Sequence, residues 1–363
     1  MRSKERCRNA EGLIMELQLD NTPQWKEFLL LYFANNIAQE MVAVDGIHNG
    51  WRYIVLPLAR TNSVLMHAVL AASASHFELN RKARNVNHPP MYEDRTESGA
   101  RQLAIEQPNW LPQMLYSRAI LGLRSCRVDS ADASEIHNLL LTLLVLLVTV
   151  MITGGCDFPI LSAMLQSAIN IIGGDGALGN DQAAKFISRQ YRKLLVYAAP
   201  LLSEEVGRAT MSSPTCMRNF FDCLNHCAEQ YPEHHEALSI VTDLVNQAKD
   251  VYMSQSTSAQ QPEQTPLADS ASVIRVQRYI NTLQSFPPGS PGKQVLVWAS
   301  FLVAADCKLP EHKKFFESLL LRHHARSGFG NLLTGLQHLR QIWNRDQGER
   351  WVSILPKARV FLV

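Results

Sequence analysis

The sequence predicts an all-α fold, a single large irregular array of helices packed as antiparallel pairs, and three observations predict it. Apolar residues recur at three- and four-residue spacing through most of the 363 positions, the pattern of helices that each bury one face. No segment shows the sustained period-two alternation between turn residues that marks a sheet, and no repeat of solenoid length is visible. The run 139–152, LLLTLLVLLVTVMI, carries no charge and is shorter than the ~20 residues a bilayer span needs, so it is expected to be a helix buried on all sides.

The elements follow in order. Residues 1–21 contain Arg2, Lys4, Arg6 and Arg8 and read as a basic, flexible tail, with 22–363 as one helical domain. Thr22-Pro23 is a start signal, and Trp25, Phe28, Leu29, Tyr32, Phe33, Ile37 and Met41 place a helix with an aromatic face over 25–44. In 48–76, Trp51, Ile54, Val55 and Leu58 make one apolar face, and Pro57 is expected to end or kink it. Thr61 or Asn62 then offers a cap for a second helix. Leu65, Met66, Val69, Leu70 and Ser73 form its stripe, while Ala68, Ala71, Ala72 and Ala74 let neighbours approach closely.

A polar turn over 84–90 leads to a helical stretch, 91–124, interrupted near 108–112. Asp132 and Glu135 have capping-box spacing ahead of the uncharged run, which Gly154-Gly155 should close. A helix over 158–172, a glycine loop over 173–179 and a helix over 181–199 follow; Phe186, Ile187, Tyr191, Leu194 and Leu195 point inward and Pro200 ends it. Residues 216–231 and 235–253 read as an antiparallel pair joined at Pro232. The segment 254–269, SQSTSAQQPEQTPLAD, is too polar to bury a core and reads as a mobile linker. Helix resumes over 272–283 before a hard turn at 287–292.

Composition narrows the function classes. With 46% hydrophobic and 19% charged residues the chain can bury a sizeable core, and a net charge of +2 argues against a protein that coats nucleic acid. Seven cysteines spread over the whole length, together with an N-terminus lacking an apolar signal stretch, suggest a reducing compartment.

Two blocks of residues carry a family resemblance. The first is Gly50-Trp51-Arg52, Leu56-Pro57-Leu58-Ala59 and the helix from Leu65-Met66-His67-Ala68 to Ala74-Ser75-His76. The second is Val295-Leu296-Val297-Trp298 with Phe301 and Val303-Ala304-Ala305, then Gly330-Asn331, Ile342-Trp343, Arg345-Asp346 and Trp351. Together these resemble the fungal-specific transcription factor domain, the helical regulatory region that follows a six-cysteine binuclear zinc cluster in many fungal gene regulators. The likeness covers about residues 24–355. It departs from the family's pattern where Leu161 and Met164 stand for a Trp and a His, which puts any effector contact there in doubt. The zinc cluster needs six cysteines within about thirty residues, and the first hundred residues here hold only Cys7, so no direct nucleic-acid binding by this chain is expected.

Other constellations are weak. Cys216, Cys223, His226 and Cys227 lack a tight Cys-x2-Cys loop and read as structural thiols rather than zinc ligands. Gly174-x-Gly176-x-x-Gly179 matches a dinucleotide fingerprint only as text, because a helix precedes it and no acid follows at the needed distance. Asp129, Asp132 and Glu135 suit a helix N-terminus better than a divalent cation. No catalytic residue, metal or cofactor is therefore assigned. The residues expected to bind a ligand are Trp51, His67, His76 and Trp298, around an apolar cavity.

The resemblance implies a non-catalytic regulatory domain of a fungal transcription regulator, acting in the nucleus. Its expected partners are the transcription machinery or related regulators and a small hydrophobic effector, with homodimerisation admitted and no membrane involved. The alternative is a helical scaffold turned to catalysis or ligand binding in fungal secondary metabolism, working in the cytoplasm, with His67, His76, Trp51 and Trp298 around an apolar cavity where confinement and a general acid or base steer a reactive intermediate.

Overall fold

The computed structural model describes residues 24–87, 110–126, 131–257, 266–346, 349–358 and 360–361, and every regular element among them is helical. The expected basic tail, the stretch 91–109, Asp129 and the middle of the expected linker lie outside the described residues.

The chain is built around α5, Ala133–Thr153. Asp132 accepts a hydrogen bond from the Glu135 amide and Glu135 reaches back to the Asp132 amide, the reciprocal cap that the spacing predicts. Every residue from Leu140 to Ile152 is buried. At 21 residues the helix is longer than its uncharged run, long and apolar enough to cross a bilayer, but 83% of its most apolar window is covered by protein, as in a core helix.

Gly154, at φ 68°, ends α5, and the next step depends on a close approach. The Gly330 amide donates to the Ile152 carbonyl at 2.8 Å, and a Cβ on Gly330 would lie 2.9 Å from that oxygen. Position 330 therefore has no room for a side chain, and α14, Asn331–Trp343, starts against the end of α5. Asn331 then donates to the Phe361 carbonyl at 2.7 Å, fastening the C-terminal segment.

Along α5 lies α3, Ser63–Asn87, and along α3 in turn lies α4, Leu111–Ser125. The buried Ala68, Ala71, Ala72 and Ala74 give α3 the slender face that such packing requires. Asn62, in extended conformation, separates α3 from α2, Leu56–Thr61, and its Oδ1 accepts from the amides of Val64 and Leu65. Pro57 does not end the preceding helix. It falls in the first turn of α2, where a missing N–H is tolerated, directly after a wide π turn, Trp51–Val55, that lets the chain change register. The first helix changes pitch as well, from α1, Gln24–Tyr32, through a π turn to a 3-10 turn ending at Met41.

After α6, Phe158–Ile171, and the glycine loop, α7 runs Gln182–Leu202 from an Asp181 cap. Pro200 lies inside α7 rather than after it; Ser203 stops the helix and caps α8, Glu204–Ser212, which the sequence reading missed. Next come the hairpin of α9, Pro214–Gln230, and α10, His235–Thr257, joined through Pro232–His234. The expected linker is shorter than 254–269, since α10 runs to Thr257 and α11, Pro266–Gln284, begins inside it.

All nine residues of α12, Val297–Ala305, are buried. Helix α13, Pro310–Ser327, and the short α15, Trp351–Ile354, complete the order. Trp343 donates to the Ala304 carbonyl at 2.8 Å and Trp351 to the buried Asp306 carboxylate at 3.0 Å, so both C-terminal tryptophans close over the end of α12. Trp51 and Trp298 belong to the same hydrophobic core, although 247 positions separate them.

Candidate functional site

A cavity partly open to solvent lies between α7, α9, α10 and the segment 41–50. Helical spacing puts the relevant side chains there. Phe186, Gln190, Lys193 and Tyr197 follow one stripe of α7, and Phe220, Cys223, Leu224 and Cys227 follow one stripe of α9. Val241 and Val245 of α10 and Val295 close the back.

Segment 42–50 forms a strap over this space and is pinned along its length. Gln294 donates to the carbonyls of Val42 at 2.8 Å and Ala43 at 2.9 Å. Asn49 donates to the Ala38 carbonyl and to Asp45, both at 2.9 Å, and Arg52 pairs with Asp45 at 2.9 Å. Burial pushes the Asp45 carboxyl up, but the hydrogen bonds from Asn49 and Arg52, the Arg52 charge and the Gly46 amide outweigh it and hold it below its ordinary value. The His48 amide donates to the Tyr231 hydroxyl at 3.2 Å. A Cβ at Gly46 or Gly50 would collide with the ring of Tyr231 or Phe186, so the strap lies as close as it does because both positions are glycine.

The polar groups in the wall are unevenly satisfied. Lys193 is half-buried, has no hydrogen bond or ion pair among the described residues, and burial holds its pKa below the ordinary lysine value despite Cys223 nearby. The Gln190 side chain is 5% exposed and its amide oxygen has no partner. Arg192, by contrast, faces away and binds Asp175 at 2.6 Å and Asp222 at 3.0 Å. The Cys227 thiol is pushed up to about 11, by burial first and by Cys223 second, which leaves it protonated and unreactive at neutral pH. Among the described residues, no three His, Cys, Asp or Glu side chains are grouped to hold a metal, so Cys216, Cys223, His226 and Cys227 do not converge.

None of the four residues expected to share a ligand site lines this cavity. Trp51 and Trp298 stand behind its walls. The Trp51 ring meets Phe186 edge-on at 5.5 Å, and Trp298 packs on Tyr197 at 5.0 Å while donating to the Tyr197 carbonyl at 3.1 Å. His67 sits half-buried on α3, its pKa lowered to about 4 by burial and then by the charges of Arg118 and Lys26. His76 is a structural tie: its ring shares hydrogen bonds with the Ser327 carbonyl at 2.5 Å and the Tyr32 hydroxyl at 3.1 Å, and stands edge-on to Phe329.

Gln190 and Lys193 were missed by the sequence reading. The signal was available in principle: two polar residues interrupt the inner stripe that Phe186 begins and Tyr197 ends.

The family model of the fungal specific transcription factor domain matches residues 28–197 and 205–363. A search of the curated proteins and one of the solved structures returned no match. The matched segments take in both tryptophan blocks, the strap and all the helices around the cavity, and the chain belongs to the fungal specific transcription factor domain family.

Proposed function

We propose that this chain is the regulatory domain of a fungal transcription regulator and that it senses a small molecule in the cavity under the 42–50 strap. The supporting observation is the cavity itself, roofed by a segment already fixed through Gln294, Asn49 and Tyr231, so that a ligand would find its site formed. A ligand there would bridge the strap to the α9–α10 hairpin, tie two parts of the core together, and favour the arrangement that binds it best. At a concentration 100-fold above its Kd it would stabilise that arrangement by about 2.7 kcal/mol, enough to reset a balanced equilibrium. The output would be a surface read by the transcription machinery or by a related regulator, in the nucleus, with DNA targeting supplied by a zinc-cluster segment or by another chain.

The test is to fuse the chain to a heterologous DNA-binding module and measure a reporter. The fusion should change output relative to the module alone, and Val245→Trp, which fills the cavity, should lock that output whatever the growth medium contains. A fusion indistinguishable from the bare module would sink the regulatory reading.

A further inference from the structure

The wall of the cavity indicates the chemistry of its ligand. Two cationic side chains, Arg189 and Lys193, line it, and no Asp or Glu does. Arg189 lies within reach of the charges of Asp222 and Glu229, but Lys193 has no carboxylate partner. One helical turn before Lys193, the Gln190 amide is buried and has an unpartnered oxygen, and turning the amide over puts its N–H donors in that place to meet a carboxylate. Beside hydrocarbon from Phe186, Phe220 and Val245, the lining includes the polar side chains of His48, His226 and Tyr231. A ligand cation would be repelled by Arg189 and by Lys193 whenever it is protonated, and a neutral ligand would give Lys193 no counter-charge against the burial that disfavours its charged form. A multiply charged anion would have to shed more hydration than Lys193 replaces together with an Arg189 already within reach of the Asp222 and Glu229 charges.

We propose that the cavity binds a small carboxylic acid with an apolar body, its carboxylate on the Lys193 ammonium and the Gln190 amide and its hydrocarbon between Phe186, Phe220 and Val245. Burial alone disfavours the charged form of Lys193, and an incoming carboxylate restores it, so the head group and the lysine stabilise one another. The proposal names the effector class for the regulatory reading above and rests on it.

Calorimetric titration of the full chain tests it with octanoate and 4-phenylbutyrate, set against 1-octanol, 4-phenyl-1-butanol and octylamine. At least one acid should bind tenfold or more tightly than its alcohol, with the chain lengths showing whether an aliphatic or an aromatic body fits. Lys193→Met should bring the acid's affinity down to that of the alcohol and leave alcohol binding unchanged, while Lys193→Arg should keep the preference. Should Lys193→Met fail to fold, the ranking of acid, alcohol and amine on the native chain and on Lys193→Arg decides. Absence of acid binding, alcohol or amine binding as tightly as acid, or an acid preference that survives in a folded Lys193→Met would each overturn the proposal. An acid preference in a chain whose reporter fusion is silent would overturn the regulatory reading and leave the ligand class standing.

Discussion

At the scale of single residues, the histidines are the most informative. His67 has its pKa lowered to about 4 by burial and by Arg118 and Lys26, and His323 is lowered to about 4 by burial and by Arg326, Arg322 and Lys293. Unfolded, both would take a proton near 6.5. Between those two values the unfolded chain binds more protons than the folded one, so stability falls as the pH is lowered from about 6.5 towards about 4. Melting temperature should therefore drop across that window, and His67→Gln should make the drop shallower; an unchanged slope would show that His67 is not held neutral. A histidine on an alanine-rich helix attracts attention in the sequence as a ligand contact, but the sequence contains no sign that Arg118 and Lys26 converge on it. That neighbourhood exists only after α3, α4 and α1 have packed.

At the scale of elements, the junction of α5 and α14 is a close backbone contact that only glycine allows. Gly330→Ala would place a methyl group 2.9 Å from the Ile152 carbonyl oxygen, and backbone on both sides would have to move. A loss of about 1–3 kcal/mol is expected, read as a lower denaturation midpoint with an unchanged slope. A loss under about 0.5 kcal/mol would mean that the junction yields freely. The elements that were legible are those whose signals are local. The Asp132–Glu135 cap, the buried run after it and the Asn62 cap each depend on residues within one or two turns. Proline proved ambiguous for the same reason: whether Pro57 or Pro200 breaks a helix depends on the pitch of the preceding turn and on what packs against the following one. Helices α8 and α13 escaped because their apolar faces are interrupted by charge. The low-complexity composition of 254–269 masked the helix ends at Thr257 and Pro266.

At the scale of the whole molecule, the cavity draws its walls from distant stretches. Tryptophans 51 and 298 gave away the shared core, yet neither touches the empty space. The wall residues were hard to see because a cavity arises from what three helices and a strap leave unfilled, a property no window of sequence contains. Gln294→Ala removes both hydrogen bonds to the strap and should cost about 1–2 kcal/mol, with amide exchange in 42–50 accelerated tenfold or more while α5 exchanges as before. Uniform acceleration everywhere would instead mean that the strap and the core open as one unit.

The bond from Gln294 to Val42 spans 252 positions, and that separation bears on when a nascent chain acquires its site. While the ribosome is still translating the first 290 residues, the roof lacks its Gln294 anchor and is held only by the contacts of Asn49, Arg52 and His48. A messenger cut short, or a polypeptide clipped before Gln294, would therefore yield a product whose strap lacks that anchor.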